Sequence, residues 1–164
     1  MIELLVLDVD GCMTNGQITY SNFGDEIKSF DVKDGLAISS WIKLGKKAAI
    51  ITGRNSKIVS RRANELGITY LYQGVDNKEA QLRDILKKEN LEFDQVSAVG
   101  DDLNDNKMLS LVGWSFAPNN ATKHTKSIVD TVLHKNGGDG AIREMIDMII
   151  ERENLTEDFL KLWL

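Results

Sequence analysis

The feature that most constrains this chain is a short apolar run near its N-terminus that ends in two acids. Residues 4–12 read Leu-Leu-Val-Leu-Asp-Val-Asp-Gly-Cys. An uninterrupted apolar run of this kind predicts a strand buried on both faces of a parallel sheet. Ligands of open α/β sheets bind beyond the carboxyl ends of the strands, so Asp8 and Asp10 are predicted to line a functional site. Because Asp-Gly also favours a simple turn, this pair alone leaves both interpretations open.

The composition is that of an ordinary globular protein, and we expect a single domain over residues 1–164. Of the 164 residues, 42% are hydrophobic and 27% are charged, and the net charge is −5. The acidic balance argues against a nucleic-acid partner. No apolar run approaches the roughly 18 residues of a spanning helix, so we expect no membrane contact and a cytoplasmic location. Cys12 is the only cysteine, which excludes an intrachain disulfide, and we expect it to fill space.

A β-hairpin is predicted directly after the first strand, over residues 16–31. Ile18 and Tyr20 alternate with polar neighbours, and residues 21–25 supply turn formers. This arm must project from the sheet, where two strands alone are marginally stable. We therefore expect another copy of the chain to pack on it, the alternative being that it folds back on its own domain.

Beyond residue 31 the pattern alternates between amphipathic helices and short apolar strands. This alternation predicts an α/β fold, a Rossmann-like three-layer sandwich around a central parallel sheet. The tail, residues 151–164, carries large apolar side chains that need a docking surface on this domain or on a neighbour. Helices are predicted from residue 34 to Gly45, over 57–66, from Lys78, over 107–111 and over 141–150, and strands over 48–51, 68–72, 96–99, 113–117 and 128–131.

Polar motifs follow the later strands at the same predicted edge of the sheet. They are Thr52-Gly53-Arg54, the loop that leads to Lys78, and Gly100-Asp101-Asp102-Leu103-Asn104-Asp105. The acids of the last motif would repel Asp8 and Asp10 unless a divalent cation lay between them. Oxygen ligands without histidine or cysteine favour Mg²⁺ over zinc. The sequence therefore predicts a magnesium site at this edge.

Lys78 opens a predicted helix, where the macrodipole disfavours a cation. A bound phosphate ion would supply the missing negative charge. Carboxylates, a hydroxyl, a lysine and a metal around one point are what phosphoryl transfer requires: a nucleophile, an acid–base group and charge compensation. We therefore predict a phosphoryl-transfer enzyme.

The ordered set of motifs resembles that of the haloacid dehalogenase superfamily of phosphohydrolases, over essentially the whole chain through Glu144. The hairpin and three further segments resemble the small branch without a cap domain, represented by phosphatases of 3-deoxy-D-manno-octulosonate 8-phosphate (KDO 8-phosphate). The motifs that carry the resemblance are Asp8-Val9-Asp10-Gly11, Thr52-Gly53, Lys78 and residues 100–105, and for the branch Lys33-Asp34-Gly35, residues 51–54 and residues 137–144.

The resemblance implies a role for each matching residue. Asp8 would be the nucleophile that forms an aspartyl-phosphate, and Asp10 the general acid and base. The Mg²⁺ ligands would be Asp8, the backbone carbonyl of Asp10, and Asp101. The groups that hold phosphate or substrate would be Thr52, Gly53, Arg54, Lys78, Arg62 and Asn104, whereas Asp102 and Asp105 would be structural.

The resemblance also implies a homotetramer assembled through the hairpins, with Arg62 and residues 33–35 at the interface and residues 137–140 closing over the substrate. Arg54 suits a substrate carboxylate, which favours KDO 8-phosphate and a place in lipopolysaccharide precursor synthesis. The alternative substrate is a related nonulosonate 9-phosphate, such as that of the nine-carbon acid sugar KDN.

Three other classes of protein fit the motifs less well. A non-catalytic oligomerisation module on this scaffold is disfavoured because both leading carboxylates are present. A contiguous metal-binding loop is disfavoured because Asp8 and Asp101 are far apart in sequence. A receiver domain of the two-component type would have neither the hairpin nor Asp-x-Asp-Gly.

Overall fold

A six-stranded parallel sheet forms the centre of the protein, in a computed structural model that describes all 164 residues. Its strands, with the two of the hairpin, are β1 (Leu4–Leu7), β2 (Thr19–Tyr20), β3 (Glu26–Ile27), β4 (Lys47–Ile51), β5 (Tyr70–Tyr72), β6 (Val96–Val99), β7 (Trp114–Ala117) and β8 (Thr131–Val132). The sheet order is β5-β4-β1-β6-β7-β8, and β2 pairs with β3 alone, antiparallel. The connections therefore reverse direction beside β1, which is where doubly wound sheets bind ligands.

The helices cover both faces of the sheet, which confirms the predicted three-layer α/β sandwich. They are α1 (Val32–Lys43), α2 (Lys57–Leu66), α3 (Lys78–Glu89), α4 (Asn106–Leu109), α5 (Lys123–Lys126), α6 (Ala141–Arg152) and α7 (Thr156–Lys161). Leu5 and Leu7 pack into the larger core cluster, with α1, α2 and α6. Leu4 and Val6 pack into the second, with α3 and α4. Burial on both faces is why β1 is apolar without alternation.

Several element boundaries differ from those predicted, and side-chain caps account for the first. Helix α1 begins at Val32 rather than at residue 34, because the Asp31 carboxylate accepts the amides of Lys33 (2.7 Å) and Asp34 (3.1 Å). An aspartate at this position satisfies amides that the helix leaves unpaired. The predicted helix over 107–111 is a 3-10 turn, Leu103–Asp105, followed by α4.

Two predicted strands are shorter in the structure. Strand β5 begins at Tyr70 rather than at residue 68, because the Ile68 amide still closes the end of α2 on the Ala63 carbonyl. The edge strand is Thr131–Val132 rather than 128–131, because the Asp130 carboxylate accepts the Ser115 amide and hydroxyl in place of a backbone pairing.

The C-terminal tail docks on its own domain. Phe159 of α7 is buried in the larger core cluster. The Trp163 indole N–H donates to Ser40 Oγ at 3.0 Å, and the Lys43 ammonium lies 4.2 Å from the centre of the Trp163 ring. No helix in the structure combines the length and apolarity needed to cross a bilayer.

Candidate active site

The loop after β1 is a tight structure that places Asp8 at the carboxyl edge of the sheet. The Thr14 amide donates to the Val9 carbonyl at 3.0 Å, which closes a wide turn over Val9–Met13. Gly11 has φ +97°, and a Cβ there would lie 2.0 Å from Asp101 Oδ2. The Asp10-Gly11 pair therefore both forms a turn and belongs to the site, since only glycine lets the Asp101 carboxylate approach this loop.

Asp8 shares a buried lysine with a second carboxylate. Lys78 Nζ donates to Asp8 Oδ1 at 2.8 Å and to Asp105 Oδ1 at 2.5 Å, and all three side chains are buried. Burial disfavours the lysine cation, but the charges of Asp8 and Asp105 outweigh it and raise the pKa of Lys78. Lysine at the start of α3 is therefore stabilised by two anions, which outweigh the few tenths of a kcal/mol that the helix dipole costs.

Asp105 holds the acidic loop in place as well as the lysine. Its second oxygen accepts the amides of Asp101 at 3.0 Å and Asp102 at 3.3 Å. A Cβ on Gly100 would lie 2.4 Å from the Asp105 Cβ, so the loop passes closely over this side chain. This fully buried position agrees with the structural role expected for Asp105.

The donor atoms beside Asp8 suit a hard divalent cation. A carboxylate oxygen of Asp8, one of Asp101 and the Cys12 sulfur all lie within 4.8 Å of one another. Burial raises the pKa of Asp8 to about 6 and that of Asp101 to about 7. Repulsion adds to both shifts, from Asp105 on Asp8 and chiefly from Asp8 on Asp101. Burial also raises the pKa of the Cys12 thiol, which keeps it protonated. The available ligands are therefore carboxylate oxygens, which Mg²⁺ prefers.

The Asp8 and Asp101 side chains line a polar cavity of about 280 Å³. The cavity brings together seven of the nine site residues predicted from sequence. Lys78 lies directly behind Asp8 and is shielded from the cavity. The lining consists of Asp8, Asp10, Gly16, Thr52, Gly53, Arg54, Asp101, Asp102 and Asn104.

Comparison with known proteins agrees with this geometry. Residues 71–145 match the model of a family described as haloacid dehalogenase-like hydrolase. The 3-deoxy-D-manno-octulosonate 8-phosphate phosphatase of Haemophilus influenzae is 38% identical over 158 residues, which cover 96% of this chain and 88% of that protein. The corresponding Escherichia coli phosphatase is 42% identical over 149 residues, which cover 91% and 79%.

A solved structure has the same fold throughout. It is the Moraxella catarrhalis 3-deoxy-D-manno-octulosonate 8-phosphate phosphatase in complex with a magnesium ion, a phosphate ion and a KDO molecule. The TM-score is 0.95 at 38% identity, over 99% of this chain and 94% of that one. The chain belongs to the 3-deoxy-D-manno-octulosonate 8-phosphate phosphatases, a branch of the haloacid dehalogenase-like hydrolases.

In this member of the branch, the base of the hairpin contributes to the site, which the sequence did not reveal. Lys28 Nζ contacts Asp10 Oδ1 and lies 3.0 Å from Glu26 Oε1. The Arg54 guanidinium lies 3.5 Å from Glu26 Oε1 and donates to the Tyr20 hydroxyl at 3.3 Å. Alternating polar side chains in the second half of the hairpin were the only available signal, and they are equally typical of a solvated strand.

Arg62 lies outside the cavity of its own chain. Its Nη2 donates to the Asp31 carbonyl at 3.5 Å, and its guanidinium lies 5.6 Å from the centre of the Phe30 ring. A Cβ on Gly35 would lie 2.3 Å from Arg62 Nη2. Arg62 thus braces the junction between the hairpin and α1, and its role in substrate binding stays a prediction that requires a neighbouring copy.

The glycine-rich segment before α6 packs behind the Asp8 loop. The Gly138 amide donates to the Cys12 carbonyl at 3.1 Å, and the Gly137 amide donates to Asn120 Oδ1 at 3.0 Å. A Cβ on Gly137 would lie 1.9 Å from the Gly11 carbonyl oxygen. In this structure the segment packs against the loop and does not line the cavity. Its closure over bound substrate stays a prediction.

Proposed function

We propose that this chain is a Mg²⁺-dependent phosphatase that hydrolyses KDO 8-phosphate to KDO and phosphate through an aspartyl-phosphate. The observation that carries the proposal is the Asp8 carboxylate, held by buried Lys78 and facing a polar cavity lined by Thr52, Asp101 and Asn104. The similarity to phosphatases of this sugar, 38–42% identity over more than nine-tenths of the chain, supports the proposed substrate.

In the proposed reaction Asp8 attacks the phosphorus, and the bond to the sugar oxygen breaks. Asp10 gives its proton to that oxygen and then takes one from the water that hydrolyses the aspartyl-phosphate. Asp8, Asp101 and the Asp10 carbonyl would hold Mg²⁺, which would supply charge that stabilises the phosphoryl oxygens. Thr52 and the amides around Gly53 bind those oxygens, while Lys78 fixes the attacking carboxylate.

Arg54 is the group proposed to select an acid sugar. Its side chain is 45% exposed, at the mouth of the cavity. A planar guanidinium pairs well with a carboxylate, which KDO carries and simple sugars lack. We therefore expect Arg54→Met to raise KM for KDO 8-phosphate by about tenfold, the loss of about one charge-assisted hydrogen bond.

We further propose that the hairpins join the chains into a homotetramer. The hairpin exposes Tyr20 (62%), Phe23 (94%) and Ile27 (51%) although a two-stranded arm gains little stability by itself. Phe23→Ser is expected to lower the mass measured by light scattering. A wild-type chain that is monomeric at micromolar concentration would contradict the assembly without affecting the chemistry.

The test of the function is phosphate release from KDO 8-phosphate and from KDN 9-phosphate, with and without Mg²⁺. We expect Mg²⁺-dependent release that prefers KDO 8-phosphate and is lost in Asp8→Asn. Asp84→Asn, on the exposed face of α3, is the matched control and should retain activity. Release that survives Asp8→Asn would overturn the nucleophile, and preference for KDN 9-phosphate would overturn the substrate.

A further inference from the structure

The base of the hairpin places a lysine directly against the proposed acid–base group. Lys28 follows β3, and its ammonium contacts Asp10 Oδ1 while lying 3.0 Å from Glu26 Oε1. The Lys28 side chain is 0% exposed, whereas those of Asp10 and Glu26 are 18% and 19% exposed. The lysine side chain is thus the most enclosed of the three, although it comes directly after a two-residue strand outside the main sheet.

The folding of the domain does not require this arrangement. Burying an ammonium group costs several kcal/mol unless carboxylates compensate, and such a pair adds little net stability. Neither strand of the hairpin carries a residue of either core cluster, and the nearest apolar packing is that of Phe30, two residues beyond Lys28, against the larger cluster. The contact that Lys28 itself makes with the domain is therefore electrostatic rather than apolar. Because the enclosed Lys28 ammonium adds little stability, its effect on the Asp10 carboxylate is the simpler explanation for its position.

The partner is fixed by one of its two oxygens. Lys28 engages Asp10 Oδ1, and Asp10 Oδ2 lies 3.9 Å from Arg54 Nε, beyond hydrogen-bond distance. Asp10 also lines the cavity. Rotation of the carboxylate is therefore restricted, and Oδ2 is the oxygen that remains able to exchange a proton with a bound substrate.

We propose that Lys28 is a positioning residue that orients Asp10 for proton transfer to the departing sugar oxygen. The inference rests on the proposed phosphatase function. The chain has no cap domain, and in its place the hairpin provides the cation that aligns the acid. In the first step the Asp8–phosphorus bond forms, the phosphorus–oxygen bond to the sugar breaks, and the Asp10 proton passes to that oxygen; the resulting Asp10 carboxylate remains paired with Lys28.

The test exploits the dependence of this step on the leaving group. A sugar alkoxide is a strong base and needs a proton as it departs, whereas 4-nitrophenolate is a weak base and does not. A positioned general acid contributes about 10²–10⁴-fold, and its misalignment loses part of that factor. We expect Lys28→Met to lower kcat/KM for KDO 8-phosphate about 30-fold and that for 4-nitrophenyl phosphate less than about threefold. Lys28→Arg, which retains the cation, should recover most of the loss.

The matched control is Lys46→Met. Lys46 is also largely enclosed, with its side chain 10% exposed, and it pairs with Glu3 at 2.7 Å at the opposite end of β1. It should leave both esters unaffected. Melting temperatures of all variants, and the Mg²⁺ affinity, establish that the chains are folded and loaded.

Three outcomes would overturn the proposal. Equal loss on both esters would make Lys28 a structural or phosphate-binding residue, a change in KM alone would make it a substrate contact, and no loss would leave it without a role. If wild-type enzyme cleaves only aryl esters, the proposed substrate fails. Lys28 is then tested by phenyl phosphate against 4-nitrophenyl phosphate, where the more basic phenolate should show the larger loss.

Discussion

The two ends of the catalytic cavity are formed by different parts of the fold. At the phosphate end, Asp8, Lys78 and Asp105 are all buried and project from the central sheet and its helices. At the mouth, Asp10 and Arg54 meet Lys28, Glu26 and Tyr20 of an arm with two-residue strands.

The difference separates the fixed part of the reaction from the adjustable part. Attack on phosphorus needs the same geometry for every substrate, and a group held by a packed core is already in place. Recognition of the sugar and proton transfer to it depend on the substrate, and the hairpin, which packs weakly, is where these groups can vary. Mutation at the phosphate end should therefore lower stability and activity together, whereas mutation at the mouth should lower activity with only a small loss of stability.

Lys78→Met should give the largest effect. It leaves the Asp8 and Asp105 carboxylates without a cation in a site where their side chains are 7% and 0% exposed. Breaking a buried pair in this way costs about 3–5 kcal/mol. The free energy of unfolding, measured in urea without metal, gives this cost. Lys28→Met, whose partners are partly hydrated, should cost about 1 kcal/mol, and equal losses in the two variants would break the comparison.

Gly137→Ala tests whether the phosphate end is supported from behind. The added Cβ would lie 1.9 Å from the Gly11 carbonyl oxygen, so backbone must move, at a cost of about 1–3 kcal/mol. Because Gly11 adjoins Asp10, activity should fall as well. Gly67→Ala, strained by φ +73° but with no neighbour within 4 Å, should lose stability and keep activity. Full activity in Gly137→Ala would contradict the supporting role.

Metal affinity should depend on pH at the phosphate end. The pKa of Asp8 is raised to about 6 and that of Asp101 to about 7, so below pH 7 the cation must displace protons that these carboxyls hold. If metal binding displaces one proton, the Mg²⁺ dissociation constant should increase about tenfold for each pH unit below pH 6, and more steeply if it displaces two. Above pH 7 the dissociation constant should level off. Calorimetry in buffers of different ionisation enthalpy counts the protons. An affinity that does not change between pH 5.5 and pH 8 would show that these carboxyls do not hold the metal.

Tyr20→Phe should give the smallest effect. The substitution removes the hydroxyl that accepts from Arg54 at 3.3 Å and leaves the ring. We expect KM for KDO 8-phosphate to rise about two- to threefold with kcat unchanged, the value of one weak hydrogen bond. Tyr70→Phe, whose hydroxyl contacts Glu89 away from the cavity, is the control. A large fall in kcat would mean that the mouth is as rigidly coupled to the chemistry as the core.

The same division explains what could be predicted from the sequence. The succession of β1, β4, β5 and β6 along the chain and the polar groups at their carboxyl ends followed from apolar runs that stop at polar residues, because core burial imposes that pattern. The position of Lys78 at a helix N-terminus, where a cation is disfavoured, indicated nearby negative charge. The structure shows two protein carboxylates there, in addition to the phosphate expected from the sequence.

What the sequence did not reveal rests on contacts between distant segments. Lys28 is an ordinary polar residue of a hairpin until the arm is folded against Asp10. The support given by Gly137 to Gly11 joins positions more than a hundred residues apart, with no periodic signal. The helix start at Val32 depends on one capping side chain, Asp31, which a hydrophobic pattern does not register.

The most direct test of the central claim is chemical trapping of the phosphorylated residue. Asp10→Asn, supplied with Mg²⁺ and 4-nitrophenyl phosphate, should transfer phosphoryl to the enzyme without an acid and then lack the base that hydrolyses it. After acid quenching and borohydride reduction, peptide mass spectrometry should find homoserine at position 8. Homoserine at another aspartate, or phosphate turnover with no reducible acyl phosphate, would contradict the account.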